Sequence, residues 1–239
     1  MMRVAKFLSH AGVCSRRRAE KLIEEGRVKV NNETLNSPAV KVDETDRVFV
    51  DNREINAPEK ARVFVFHKPA GLVTTHSDEK GRKTVFEALP KDMPRVISVG
   101  RLDLNTEGLL VLTTNGELSR YMELPKTGWV RRYKVRAHGY VLQDDLDKLK
   151  DGIKIDGVKY GPITAILESG ENKSNCWITM SLKEGKNREI RKVLEHFDLQ
   201  VNRLIRVSYG PFQLGKLDVG ECREVSGKVI KDQLPQEYK

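Results

Sequence analysis

A single aspartate lies among apolar residues in the stretch VGRLDLNTEGLLVLTT, residues 99–114. A carboxylate held between an apolar wall and a cation stays ionised and poorly solvated, which suits a nucleophile or a general base. Asp103 has such a cation nearby in Arg101. Aspartates in loops also form Asx turns or cap backbone N–H groups. The residues alone therefore leave a catalytic and a structural role open for Asp103.

A basic strand, WVRRYKVRAHGYV at 129–141, is the second stretch with chemical potential. Alternation along a strand places Tyr133, Val135 and Ala137 on one face and three cations on the other. The cations are Arg132, Lys134 and Arg136. Tyrosines flanked by Val and Ala at every second position are commonly core residues, so Tyr133 is either packed or available to a ligand.

A helix with apolar and basic faces is predicted within LKEGKNREIRKVLEHF, residues 182–197. Its apolar residues recur at spacings of three and four, as a buried helix face requires. They are Ile190, Val193, Leu194 and Phe197. Arg191 lies at the boundary of the two faces. It either pairs with Glu195 one turn later or reaches a buried carboxylate elsewhere.

Metal and nucleotide motifs are not found in the sequence. The histidines His10, His67, His76, His138 and His196 lack metal-ligand spacing. GPFQLGK at 210–216 matches half of a phosphate-binding loop, but Leu217 replaces the magnesium-binding Ser or Thr, and Pro211 removes an N–H group. Three distant cysteines without a C-x-x-C pair indicate reduced thiols. We therefore expect no metal and no cofactor.

Length and charge limit the class of protein. A chain of 239 residues has room for one large and one small domain. No apolar run reaches about 18 residues, and no secretory signal is present, so we expect a cytoplasmic protein without a membrane segment. The net charge of +9 favours a polyanionic partner. Residues 1–30 carry eight Lys or Arg against three acids, which concentrates the positive charge in one segment.

The N-terminal segment is predicted to form two helices and a strand pair. The first helix covers 4–10, and Ser15 caps a second helix that ends at Gly26. A strand at 27–32 turns at two asparagines and pairs with 46–52.

Three consecutive arginines, 16–18, occupy the first turn of the second helix, where the macrodipole disfavours each cation by roughly 0.3–1 kcal/mol. They form either a solvated charged face or a phosphate site.

A larger α+β domain on a largely antiparallel sheet is predicted for residues 61–227, after an N-terminal domain of residues 1–60. Its strands are expected at 62–68, 95–99, 109–114, 131–141, 163–169 and 176–182, and its helices at 118–124, 144–150 and 187–197. The polar segment 56–61 reads as a linker. The polar tail at 228–239 is expected to fray.

The first 60 residues resemble the small RNA-binding domain named after ribosomal small-subunit protein S4. The resemblance rests on RVAKFLSHAGVCSRRRAEKLIEEGRVKVNN, which joins a Ser-Arg-Arg helix start to a Gly-Arg-Val-x-Val-Asn exit. It implies an α/β module whose helices and following strand face RNA. The implied RNA contacts are Arg3, Lys6, Ser15, Arg16, Arg17, Arg18, Arg27 and Lys29.

The rest of the chain resembles the Rsu-type family of bacterial ribosomal RNA pseudouridine synthases. The similar motifs, in order, are HKPAG at 67–71, VGRLDLNTEGLLVLTTNGEL at 99–118, RRYKV at 131–135 and the stretch 182–225. The resemblance implies that a uridine is isomerised without a cofactor. Asp103 would be the essential carboxylate, Tyr133 would stack on the base, and Arg191 would form an ion pair with Asp103.

The same resemblance implies the substrate contacts and the partner. Ile190 would form an apolar pocket wall, and Arg101 would hold or replace the extruded nucleotide. Expected substrate contacts are Arg101, Lys186, Arg188 and Ile190, and further RNA contacts are Arg131, Arg132 and Lys134. The expected partner is structured ribosomal RNA, bound by a monomer. Large-subunit (23S) RNA is favoured; the alternatives are small-subunit (16S) RNA or a ribosome-assembly factor that binds RNA without catalysis.

Overall fold

The computed structural model describes residues 1–57, 60–169 and 174–238. Its N-terminal unit contains two short helices and six short strands. The helices are α1 (Val4–His10) and α2 (Arg16–Glu24), and the strands are β1 (Met2–Arg3), β2 (Val28–Val30), β3 (Glu33–Thr34), β4 (Lys41–Val42), β5 (Val48–Val50) and β6 (Arg53–Ile55). No helix within the described ranges is long and apolar enough to cross a membrane.

Local sequence features account for the N-terminal unit. The Ser15 hydroxyl accepts a hydrogen bond from the Arg18 N–H group at 3.2 Å and so caps α2. Strand β2 turns at two asparagines with positive φ into β3, and it pairs antiparallel with both β3 and β5. The predicted first helix, the Ser15 cap and the strand pairing are confirmed. The linker predicted at 56–61 includes Pro58 and Glu59, which lie outside the described residues.

In the described residues, the larger unit is built on a mixed sheet of nine strands. Seven run in the order β13-β14-β10-β15-β9-β7-β17, while β8 pairs with β9 and β16 with β15. Strand bounds are β7 (Val63–Lys68), β8 (Ile97–Ser98), β9 (Thr106–Thr113), β10 (Arg131–His138), β13 (Ile163–Ser169), β14 (Asn175–Leu182), β15 (Gln200–Tyr209), β16 (Phe212–Gln213) and β17 (Cys222–Glu224). Strands β15 and β9 are parallel, and the other pairs of this sheet are antiparallel. The predicted α+β class with a largely antiparallel sheet is confirmed.

The helices and a small hairpin pack against the two faces of this sheet. The helices are α3 (Gly116–Glu123), α4 (Gln143–Asp147), α5 (Glu189–Glu195) and α6 (Gly227–Gln233), and the hairpin consists of β11 (Ile153–Ile155) and β12 (Val158–Tyr160). On one face, Phe64, Phe66 and Tyr133 belong to a core that includes buried residues of α5. On the other face, Val63 and Val65 pack with residues of α3 and α6.

Two segments differ from the prediction. Strand β15 was not predicted, although it lies near the centre of the sheet, because Arg203 and Arg206 interrupt its apolar pattern. The C-terminal segment was expected to fray, and this is wrong. Helix α6 packs through Val229 and Ile230, and Leu234 behind it is only 4% exposed. Its few apolar residues coincide on one helix face, which the polar composition of the segment conceals.

Candidate active site

An open cleft of about 970 Å³ lies on the core side of the sheet, above the ends of β9, β10 and β15. Asp103, Tyr133 and Arg191, the three predicted catalytic residues, all line it. The four residues predicted to contact the substrate line it as well: Arg101, Lys186, Arg188 and Ile190. The fold thus brings together residues that lie far apart in the sequence.

Backbone contacts fix the loop that presents Asp103. The loop begins at Gly100, whose φ of +67° is a left-handed conformation. The Thr74 hydroxyl donates to the carbonyl of Leu102 at 2.8 Å, and the N–H group of Thr106 donates to the carbonyl of Asp103 at 3.0 Å. The main chain is therefore bonded on both sides of Asp103, while its carboxylate is exposed in the cleft.

A buried lysine beneath this loop was missed by the sequence analysis as a site residue. The Lys68 ammonium is fully buried and donates to four backbone carbonyls, at 2.8–3.3 Å. The acceptors belong to Pro69, Asp103, Leu104 and Thr106. Burial lowers the pKa of Lys68 to about 8, against the raising effect of the carboxylates of Asp103 and Glu107. A lysine at the end of the apolar strand VFVFHK was the available signal.

Tyr133 reaches the cleft from β10. Its neighbours across the sheet are Met180 on β14 and Arg206 on β15. Alternation along β10 directs Tyr133, Val135 and Ala137 into the core side, as predicted, and the tyrosine is 9% exposed. Tyr133 is therefore both a packed residue and part of the cleft wall.

Arg191 does not form the expected ion pair with Asp103. In the described residues no nitrogen of Arg191 lies within 4 Å of a carboxylate oxygen. Its guanidinium instead donates to the carbonyls of Val201 at 3.0 Å and Asn105 at 3.3 Å. Burial lowers its pKa, and the charge of Arg188 acts in the same direction, whereas that of Asp103 opposes them. Arg191 therefore holds the loop two residues after Asp103 rather than the carboxylate itself.

Arg206 on β15 is a second residue that sequence reasoning missed. It lines the cleft, is 2% exposed and donates through Nε to the carbonyl of Leu109 at 2.8 Å. Its Nη2 is buried and has no hydrogen-bond partner within the described ranges. Gly108, with φ +99°, lets β9 approach, since a Cβ there would overlap the backbone of Arg206. A cation inside an unpredicted strand gave no readable signal.

The turn before α5 carries two of the predicted substrate contacts. Arg188 adopts a left-handed conformation with φ +52°, and Lys186 forms an ion pair with Glu184. The Glu189 carboxylate, 4% exposed, accepts a hydrogen bond from the Lys186 N–H group at 2.8 Å. Burial raises the pKa of Glu189. This carboxylate stabilises the turn, so that Arg188 and Lys186 project from a fixed backbone.

The part of the chain that carries the cleft matches a known protein family. A family model described as RNA pseudouridylate synthase matches residues 62–196, more than half of the chain. The chain belongs to the RNA pseudouridylate synthase family. An S4 domain model matches residues 2–48 of this pseudouridylate synthase. Members of the family isomerise uridine in RNA, so the protein is an enzyme that binds RNA.

Relatives of this pseudouridylate synthase cover nearly its whole length. An uncharacterised RNA pseudouridine synthase of Rickettsia prowazekii is 49% identical over 237 residues, 98% of each chain. The ribosomal large subunit pseudouridine synthase B of Bacillus subtilis is 34% identical over 232 residues, 97% of this chain and 95% of that relative. A crystal structure of a pseudouridylate synthase superposes with a TM-score of 0.66 at 25% identity, covering 97% and 99% of the two chains.

The basic side chains of β10 lie on two different surfaces of the synthase. Arg131 lines the cleft, but its guanidinium is occupied by the carbonyls of Lys183 and Glu184 and by the Tyr209 hydroxyl at 3.1 Å. Arg132 and Lys134 are exposed on the opposite face of the sheet. They were predicted to contact RNA, and their placement excludes contact with a nucleotide at Asp103.

In the S4 domain, several predicted RNA contacts already have partners within the protein. Ser15 caps α2, Arg18 lies 3.4 Å from Glu25, Arg27 binds Asp51 at 2.6 and 2.7 Å, Lys29 donates to Asn52 at 2.9 Å, and Lys6 forms an ion pair with Glu117. Arg3, Arg16 and Arg17 are exposed. The last two are therefore the best placed cations of the arginine run.

The S4 domain contacts the catalytic domain directly. Lys6 of α1 pairs with Glu117 of α3. Two glycines also lie close to the other domain. A Cβ atom added to Gly116 of α3 would be 3.8 Å from the Arg16 guanidinium, and one added to Gly12 would be 4.0 Å from the Arg95 side chain. The start of the arginine run therefore lies beside the first turn of α3.

Proposed function

We propose that this synthase isomerises one uridine in ribosomal RNA and that Asp103 is its essential carboxylate. The observation that carries the proposal is the convergence of Asp103, Tyr133 and Arg191 on one cleft. The cleft volume of about 970 Å³ accommodates a nucleotide. The reaction breaks the bond between uracil N1 and ribose, turns the ring and forms a bond from C5 to the same ribose carbon. No atom is gained or lost from the RNA, apart from exchange of a proton.

Each residue has a role that its surroundings support. Asp103 acts on the nucleotide as the one carboxylate of the GRLD loop, whose backbone is held by Lys68. Tyr133 stacks on the uracil, which offsets part of the few kcal/mol needed to extrude a base. Arg191 is a positioning residue, because it donates to the carbonyl of Asn105. Arg101 is exposed at the rim and takes the place of the extruded base.

Cations around the cleft supply phosphate contacts. Arg188 and Lys186 project from the turn before α5 and line the cleft. Guanidinium and ammonium groups bind phosphate without reading sequence. Arg16 and Arg17 of the S4 domain add a second point of attachment on the same RNA.

The substrate is large-subunit (23S) ribosomal RNA, bound in the cytoplasm by a monomer. This choice is supported by the name of the Bacillus subtilis relative, which is matched over nearly its full length. Small-subunit RNA is the alternative target.

Comparing ribosomal RNA from cells with and without the gene tests this proposal. Pseudouridines are mapped by carbodiimide modification and primer extension, after complementation with the wild type or with Asp103→Asn. We expect one large-subunit pseudouridine to disappear on deletion, to return with the wild type and to remain absent with Asp103→Asn. The purified variant should still bind the RNA fragment. Modification by Asp103→Asn would refute the assignment of the carboxylate, and a change confined to small-subunit RNA would refute the substrate.

A further inference from the structure

Within the part of the chain that the structure describes, one half of the large sheet is uncovered on the side away from the cleft. Strands β10, β13, β14 and β15 each direct alternate residues to this side. We call it the open face and define it by Arg132, Lys134, Arg136, Ile166, Trp177 and Arg203. Ile166, on the edge strand β13, is 53% exposed and adds an apolar side chain to this surface.

Like charges face each other on the open face. Arg136 is paired in register with Arg203 on β15 on one side and with Trp177 on β14 on the other. Directly opposed like charges destabilise a sheet, since neighbouring strands lie only about 4.8 Å apart. Glu107 already compensates Arg203, so an anion bound at Arg136 would offset the charge that remains on this pair.

Among the described residues, acids on this side pair with two of its four cations and leave the other two without a partner. Glu107 binds Arg203 at 2.5 Å, and Glu168 lies 3.5 Å from Lys134. The side chains of Arg132 and Arg136 have no hydrogen bond or ion pair with any described residue. The open face therefore combines two uncompensated guanidinium groups with a half-buried indole.

We propose that the open face binds a single-stranded segment of RNA, with a base stacked on Trp177 and phosphates bound by Arg132 and Arg136. Sheet faces that combine aromatic rings with cations bind single-stranded RNA in this way, because every base offers a π-face and every linkage a charge. A protein partner would be expected to bury a broader apolar patch than Trp177 and Ile166 provide. The inference goes beyond isomerisation, since this surface and the cleft lie on opposite faces of β10.

Tryptophan fluorescence tests the proposal with a probe that is not a substrate. The chain has two tryptophans, and Trp129 is partly buried on the α3 side of the sheet against Tyr209 and Phe212, with ring centroids 6.0 and 5.8 Å away. The difference in emission between the wild type and Trp177→Phe therefore isolates Trp177. The probe is a ten-nucleotide oligocytidine, which contains no uridine. We expect it to quench the Trp177 emission.

Matched variants assign the binding to the open face. Trp177→Ala should weaken binding by about five-fold or more. Arg132→Gln with Arg136→Gln should lower the slope of log affinity against log salt by about 1.4, for two phosphate contacts on a single strand. The control is Lys154→Gln with Lys159→Gln, an equal charge change on the β11–β12 hairpin, whose Ile153 and Ile155 pack on the cleft side.

Two results would overturn the proposal. The first is unchanged Trp177 emission at oligocytidine concentrations that saturate binding by fluorescence anisotropy, which would leave the open face to a protein partner or to solvent. The second is an equal loss of salt dependence in the two double variants. Neither readout requires pseudouridine formation, so both are independent of the proposed ribosomal substrate. Asp103→Asn should give the same quenching as the wild type.

Discussion

Replacing Lys68 by methionine tests whether a buried ammonium positions the catalytic loop. Of its four carbonyl acceptors, those of Asp103 and Leu104 also accept from backbone N–H groups, at 3.0 and 2.8 Å. Those of Pro69 and Thr106 lose a charged donor, and each buried acceptor left unpaired costs about 1–3 kcal/mol. Methionine also removes the desolvation cost of a buried ammonium, which amounts to several kcal/mol.

These two effects on the free energy of unfolding have opposite signs and nearly cancel. The effect on the catalytic rate is not compensated. We expect the free energy of unfolding of Lys68→Met to change by less than about 3 kcal/mol. The loop loses the donor that gathers four carbonyls, and a displacement of about 1 Å at Asp103 lowers the rate by about 100-fold. The assay is tritium release from ribosomal RNA labelled at uridine C5, measured under single-turnover conditions alongside thermal unfolding. Lys91→Met, at an exposed lysine, is the control. A Lys68→Met enzyme with activity within three-fold of wild type would refute the reasoning.

Three further predictions follow from the described contacts. Above pH 8 the Lys68 ammonium loses its proton in the folded state but keeps it in the unfolded chain up to about pH 10.4. Activity should therefore fall as the pH rises through 8, while the contribution of Lys68 to the free energy of unfolding rises. A rate that stays flat to pH 10 would contradict this. Arg16→Ala with Arg17→Ala should weaken RNA binding and lower its salt slope by about 1.4–1.8, and an unchanged slope would argue against phosphate contacts. Gly108→Ala should destabilise the protein by at least about 2 kcal/mol in urea unfolding, because a Cβ at this positive φ would overlap the backbone of Arg206. A smaller loss of stability would mean that β9 and β15 can separate at this point.

The sequence predicted the parts of the site that local patterns encode. Strand β10 was readable because cations occupy every second position, and this alternation placed Tyr133 on the correct face. Asp103, Tyr133 and Arg191 were assigned from motifs, and the structure places all three in one cleft. Helix α5 was readable from the spacing of Ile190 and its apolar neighbours.

The missed parts depend on pairings between distant segments. Arg206 interrupts the apolar pattern of β15, and only the assembled sheet shows that a buried arginine is tolerated there. Lys68 resembles an ordinary lysine at a strand end until the loop folds over it and supplies four carbonyls. The expected ion pair between Asp103 and Arg191 requires a geometry that the motif does not specify, because the carbonyls of Asn105 and Val201 occupy the guanidinium.

The contact between Lys6 and Glu117 has a consequence for the choice of target. It joins the anchoring domain to the catalytic domain through side chains rather than through the connecting segment alone. The distance between the arginine run and Asp103 is then set by the contact between the two domains. If the arginine run and Asp103 contact the same RNA, we expect the enzyme to prefer RNAs whose folded shape matches this distance.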